Sequence, residues 1–549
     1  MKALTRCRTL HSLAVGATLA ALAVTAGAKS SEAESVDAKA PLVETSDGPV
    51  QGIRRHGVYQ YLGIPYAAPP VGDLRWRPPQ PPKKWAKPLN VGRPGKSCVQ
   101  SNTLGVFAEP SLEEDCLYLN VVTDDNRNSN GKKNKPVMVW IHGGGWFDGS
   151  ANEYNSEWLV KRGDVVFVSM NYRLNIFGFF DHPALGGKNA PSGNYGFMDQ
   201  QLALRWIKEN IVNFGGDPHN VTIFGESAGG GSVMAQIVSP AAKGLFHRAI
   251  VESGSYVMVS PMQTVDQAHA YAEQFSETVG CGGKSAEETA ACLKGLTPKQ
   301  IVKRGKAFTD TAQAIIDGTT IPASIPEVLG SGKFNKVPVM NGANRDELRW
   351  FVSLEEAATG HVLTKKEYPE RVSALFGNRN GQRILSRYDV DDFDSPSEAF
   401  GAVQGDQLML CPLRTLNTAL AEHVPVYSFE FADRTAPDSG PEVSFPLGAA
   451  HTFEIQYLFK NYNGATGQVT PLNKQQSRLS DAMVSYWTRF AANGDPNGPD
   501  TPEWDRYDSK EDNHLSLNLP MPTVTKTFSS RHRCKLWDNL SAGQIAGTR

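Results

Sequence analysis

Val221-Thr222-Ile223-Phe224-Gly225-Glu226-Ser227-Ala228-Gly229 runs from a short, mostly apolar stretch into a serine set between two glycines. Small residues continue through 230–235. The pattern predicts a strand, one sharp turn and a helix. A serine on such a turn is held in a strained backbone geometry, with its hydroxyl clear of the sheet edge. Gly225 and Gly229 let the backbone cross closely without a Cβ clash. This is the pattern of a nucleophile elbow. Gly-x-Ser-x-Gly arises readily by chance in a chain with 51 glycines. Its meaning therefore depends on the elements around it and on partners far along the chain.

Upstream, 136–141 is an almost continuous apolar run, as expected for a strand buried on both faces of a parallel sheet. It ends at His142-Gly143-Gly144-Gly145-Trp146. A second buried strand is predicted at 165–170. The helix that follows begins near Phe197, with Ala203, Ile207, Ile211 and Phe214 on one apolar face. Further strands are expected at 117–122, 249–251, 337–340 and 424–431. The strand at 337–340 leads to Gly342-Ala343-Asn344-Arg345-Asp346-Glu347, and His451 falls in a loop after 424–431. A hairpin is predicted at 42–53, an exposed loop at 126–135, and a helix at 482–492 ended by Asn493-Gly494. The proline-rich stretch 65–88, with Arg75, Trp76 and Trp85, reads as an irregular surface wrap. Strands alternating with helices give an open α/β sheet. The helical stretches 262–327 and 355–414 read as a cap over one end of that sheet.

The formal net charge of −2 gives no field that favours nucleic acid or an anionic membrane. Lys2, Arg6 and Arg8, an apolar run over 13–24 and Ala26-Gly27-Ala28 predict a signal peptide over 1–28. Cleavage after Ala28 is the first choice and Ala33 the alternative. Residues 29–40 read as a flexible leader, and 41–549 as one domain. No later stretch reads as a membrane span. The expected location is secreted or periplasmic. Without Cys7 six cysteines remain, which in an exported chain suggests three disulfides. Closeness in sequence favours Cys98–Cys116 and Cys281–Cys292, which leaves Cys411–Cys534. Neither C-x-x-C nor H-E-x-x-H occurs, so no metal is expected.

Acyl transfer by serine needs a nucleophile, a base, an acid to orient the base, and donors for the oxyanion. In α/β hydrolases these come in the order Ser, acid, His, each beyond the C-terminal end of a strand. Ser227, Glu347 and His451 fit that order. On chemistry alone Asp346 is an equal acid. Six other histidines also follow the serine: His247, His269, His361, His423, His514 and His532. Topology favours His451. The glycine triplet lets the N–H groups of Gly144 and Gly145, with that of Ala228, point into one cavity as oxyanion donors. Trp146 and Phe147 stand next to the triplet, either lining the site or packing beneath it.

With these residues in place, the chain resembles the type-B carboxylesterase family, in a secreted form of bacterial type. Phe214-Gly215-Gly216-Asp217-Pro218 through Gly229 looks like its serine signature. Glu114-Asp115-Cys116-Leu117-Tyr118-Leu119-Asn120-Val121 looks like its second signature. The likeness runs from about Val43 to Leu540. It implies an α/β-hydrolase fold, with a mostly parallel central sheet, helices on both faces and helical cap insertions. It places the acid on Glu347, the base on His451, the oxyanion donors on Gly144, Gly145 and Ala228, and a supporting serine at Ser253. It matches the cholinesterase-like pairing of the six cysteines. It implies a carboxylic ester hydrolase that needs no cofactor, forms a covalent acyl-enzyme on a small-molecule ester, and loses activity in mild acid. One departure stands out: Leu348, Arg349 and Trp350 follow the acid where the family tends to have glycine, which leaves the neighbouring pocket open. Two narrower expectations accompany this one. Arg345 and Arg349 could select a bulky or anionic ester, or the fold could serve as a non-catalytic binding protein.

Overall fold

The computed structural model describes residues 38–546, apart from 102, 105–107, 125–133, 187–192, 463, 465–466 and 468. The signal segment 1–28 lies outside the described residues, as do most of the leader and most of the loop at 126–135. Thirteen strands form the main sheet. In chain order they are β1 (Ala38–Glu44), β2 (Pro49–Arg55), β3 (Val58–Pro65), β4 (Leu89–Asn90), β5 (Tyr118–Asp124), β6 (Lys135–Ile141) and β7 (Val166–Met170). There follow β8 (Gly216–Glu226), β9 (Arg248–Glu252), β10 (Val339–Asn344), β11 (Val426–Phe431), β12 (His514–Leu517) and β13 (Thr523–Thr525). Across the sheet the order is β1-β2-β3-β5-β7-β6-β8-β9-β10-β11-β12-β13, with β4 beside β2. From β7 to β12 every neighbour is parallel; the flanking pairs are antiparallel except that β4 runs parallel to β2. This is the mostly parallel α/β-hydrolase sheet.

The apolar run of β6 explains itself once both faces are seen. Val137, Val139 and Ile141 enter one core, while Met138 and Trp140 enter the other. Strand alternation puts successive side chains on opposite faces, so a strand covered on both sides must be apolar throughout. Helices α1 (Tyr195–Asn210) and α2 (Ala228–Val238) supply Phe197, Ile207, Val233 and Ile237 to the first core. Helix α4 (Lys474–Asn493) supplies Leu479, Met483, Trp487 and Phe490 to the second. A shorter helix, α3 (Arg349–Thr359), begins two residues after Glu347. Together with further helices over 265–330 and 368–421, it makes up the inserted helical segments.

Several boundaries differ from the sequence reading. The last three residues of the expected leader, 38–40, belong to β1: Ala38 and Lys39 pair with β2, and Ala40 is buried at the irregularity that follows. An edge strand is held by backbone hydrogen bonds, so its polar composition concealed it. Strand β10 starts at Val339 rather than at 337, because Pro338 has no N–H to give the ladder. Helix α4 starts eight residues before 482, where Asn473 and Gln476 form a reciprocal cap over polar first turns. Strands β3, β4, β12 and β13 are additional to those expected. The three disulfides join Cys98–Cys116, Cys281–Cys292 and Cys411–Cys534. Among the described residues no helix is long and apolar enough to cross a membrane.

Candidate active site

The parallel strands bring their C-terminal ends to one rim, and the candidate residues stand on it. Ser227 follows β8 directly and caps α2, with φ 56° and ψ −122°. Such a backbone is sterically costly for a residue with a side chain. It is held by Ser227 N–H donating to Glu252 O (2.9 Å) and Gly231 N–H donating to Ser227 O (2.8 Å). The two flanking glycines are obligatory. A Cβ on Gly225 would lie 2.4 Å from Ile141 O, and one on Gly229 would lie 2.0 Å from it.

His451 and Glu347 complete a hydrogen-bonded line. Ser227 Oγ stands 2.9 Å from His451 Nε2, and His451 Nδ1 stands 2.6 Å from Glu347 Oε2. A carboxylate facing Nδ1 fixes the proton there and leaves Nε2 free to accept. Ser253 Oγ and Asn344 N–H both donate to Glu347 Oε1, at 2.6 and 2.7 Å. Asp346 turns the other way, into Arg434 through two hydrogen bonds. His532, the other histidine between buried carboxylates, pairs with Asp406 and Glu430.

The glycine loop faces the serine. Gly144 and Gly145 have φ of 99° and 61°. Among the described residues no group accepts from the N–H of Gly144, Gly145 or Ala228. The loop is fixed from below. Trp146 Nε1–H donates to Ala228 O (2.7 Å), Asn175 N–H to Trp146 O (2.7 Å), and Tyr172 O–H to His142 O (2.7 Å). Burial pushes the His142 imidazole down to about 4, so it stays neutral.

These groups open on a cavity of about 110 Å³, walled by Leu104, Phe147, Tyr154, Trp350, Phe351 and Tyr462 among others. Phe147 lines the site and Trp146 is packing, with its ring set edge-on to Phe197 and tilted against Phe179 and Tyr256. Trp350 belongs to the stretch where the sequence departs from the family pattern, and Phe351 follows it. Arg345 and Arg349 do not reach the wall. Arg345 pairs with Glu430 at 2.6 Å and Arg349 with Glu398 at 2.7 Å. Their charges are neutralised, which removes the support for an anionic ester.

Glu226 was missed from the sequence. Its Oε1 lies 3.2 Å from His451 Nε2, and both groups are buried. Burial raises the Glu226 carboxyl well above the usual range, with the His451 charge opposing and Glu454 and Glu347 adding to it. Burial lowers His451, and negative charge on Glu226 or Glu347 raises it, the net direction being upward. Burial and Glu347 likewise push Glu454 up to about 7. Strand parity was the available signal. Glu226 shares a face of β8 with Phe224, which packs on Phe459 just beyond His451. In chemical terms the arrangement can pass a proton from a hydroxyl to an imidazole and hold a developing oxyanion.

The Carboxylesterase family model matches residues 39–537. The chain is 33% identical to a cocaine esterase of Homo sapiens, over 91% of both chains. It is 33% identical to the pyrethroid hydrolase Ces2e of Rattus norvegicus, over 92% of this chain and 91% of the relative. It is 32% identical to an acylcarnitine hydrolase of Mus musculus, over 90% of each. The chain belongs to the carboxylesterase family.

Proposed function

We propose that this protein hydrolyses neutral carboxylic esters through a covalent acyl-enzyme on Ser227. His451, oriented by Glu347, takes the proton from Ser227 Oγ as the oxygen attacks the ester carbonyl. The N–H groups of Gly144, Gly145 and Ala228 hold the oxyanion, and losing one such donor costs about 3–4 kcal/mol in barrier. His451 returns the proton to the leaving alcohol. Water, activated by the same imidazole, then releases the acid. No cofactor enters this sequence. The carrying observation is the unbroken line Ser227 Oγ–His451 Nε2 and His451 Nδ1–Glu347 Oε2, at 2.9 and 2.6 Å, facing unpaired N–H donors across one cavity.

The names of the relatives support a small-molecule ester as substrate. The aromatic wall supports a bulky, uncharged one. Three disulfides support export, after removal of 1–28. The relatives quoted above are animal proteins and give a bacterial-type origin no support. The test is hydrolysis of p-nitrophenyl esters from acetate to decanoate by wild type and Ser227→Ala, with fluorophosphonate labelling. A burst and labelling in wild type alone are expected. Folded wild type that neither cleaves any ester nor takes the label would overturn the reading in favour of a binding protein.

A further inference from the structure

Thr452 follows His451 and lines the same cavity. Its φ is 72°. Glycine adopts that region freely, but a β-branched side chain there is a steric outlier. Thr452 is the one β-branched residue among the described non-glycine residues with positive φ. On the cavity wall Ser227 is the only other non-glycine residue so placed.

The turn accounts for the backbone. It brings His451 N–H to Glu347 O at 3.2 Å, sends Phe453 into the core, and delivers Glu454 to the Asn344 amide. It does not account for threonine, since glycine would make the same turn without strain. Internal bonding does not account for it either. Among the described residues the Thr452 hydroxyl has no hydrogen-bond partner. Around it the wall is largely aromatic and apolar, with no lysine or arginine among the described lining residues. Strain kept at one position of a binding wall, with an unpaired donor, points to a ligand that uses the donor.

We propose that Thr452 is a specificity-determining residue, its hydroxyl donating a hydrogen bond to an acceptor oxygen on the alcohol part of the ester. The inference rests on the ester hydrolysis proposed above. The side follows from that chemistry. His451 returns its proton to the leaving oxygen, so the alcohol passes along His451, and Thr452 is the next residue. The preferred substrates are then neutral esters whose alcohol carries an ether, carbonyl or hydroxyl oxygen a few atoms beyond the leaving oxygen.

Butyl butyrate and 2-methoxyethyl butyrate test this, because they share the acyl group and chain length and differ by one CH₂ replaced with oxygen. The ratio of kcat/KM, methoxyethyl over butyl, is measured for wild type, Thr452→Val and Thr452→Ser. Valine keeps the branch and loses the hydroxyl; serine keeps the hydroxyl. The ratio is expected to fall about fivefold in Thr452→Val, the size of one neutral hydrogen bond, and to persist in Thr452→Ser. Should the valine variant not fold, Thr452→Ala gives the same comparison. An unchanged ratio without the hydroxyl overturns the proposal, as does an equal loss in Thr452→Ser. If both esters are cleaved in a Ser227-dependent way, that failure concerns Thr452 alone. Absence of any Ser227-dependent cleavage overturns the ester hydrolase reading with it.

Discussion

Replacing Glu226 with glutamine tests which of two neighbouring groups holds the proton in the resting site. Glu226 Oε1 lies 3.2 Å from the same His451 nitrogen that faces Ser227. Burial favours the protonated carboxyl. A neutral Glu226 leaves Nε2 free as a base, with Glu347 as the charge that raises the imidazole. If Glu226 were charged, two unit charges 3.2 Å apart would interact by about 5 kcal/mol at an effective dielectric constant of 20. A quarter of that is already a full pH unit, which is worth about 1.36 kcal/mol. The assay is kcat/KM for p-nitrophenyl butyrate from pH 5 to 10. Activity falls as pH drops, because the base must be neutral; a charged Glu226 would add its attraction to that of Glu347 and carry the midpoint further upward. Glutamine is isosteric and uncharged, so in Glu226→Gln the acid limb is expected to stay within about 0.3 pH unit. Removing a real negative charge would lower the imidazole. A limb displaced downward by a unit or more would refute the reasoning and assign the charge to Glu226.

Ser253→Ala removes one of the two donors to Glu347 Oε1 and should lower kcat/KM about tenfold or more, the value of a hydrogen bond to a charged group; steady-state kinetics with an unchanged melting curve would show it. Gly229→Ala puts a Cβ 2.0 Å from the Ile141 carbonyl and should cost about 3 kcal/mol or more in denaturant unfolding. Gly295→Ala, whose Cβ would meet nothing, is the control. Phe351 is 37% exposed, with its ring 5.3 Å from His451. Phe351→Ala should shift preference from short toward bulky acyl chains, by about fivefold in relative kcat/KM for about 1 kcal/mol of lost apolar contact, and an unmoved chain-length profile would exclude Phe351 from the ester pocket.

The parts legible in the sequence are those that a backbone requires. Gly225 and Gly229 mark a crossing where no Cβ fits, and the triplet after β6 marks a loop that needs positive φ. Ser227 and Glu347 lie within three residues of a strand end, whereas His451 stands well after β11; strand order and the family resemblance single out Glu347 over Asp346 and His451 over the other histidines. The wall was not legible. Leu104, Tyr154, Phe351, Thr452 and Tyr462 come from separate segments, and nothing local says that they meet. Arg345 illustrates the difficulty. Beside the acid it looks like a recognition group, yet its partner Glu430 lies 85 residues away and takes its charge. Glu226 was hidden in a motif position that tolerates any residue, although its parity with Phe224 pointed to the His451 side. The reaction class therefore resides in contiguous motifs, and selectivity in contacts between segments distant in sequence. Relatives about one-third identical to this chain accordingly carry names as different as cocaine esterase and acylcarnitine hydrolase. For this chain, preference should change through wall residues such as Phe351 and Thr452, with Ser227, His451 and Glu347 left in place.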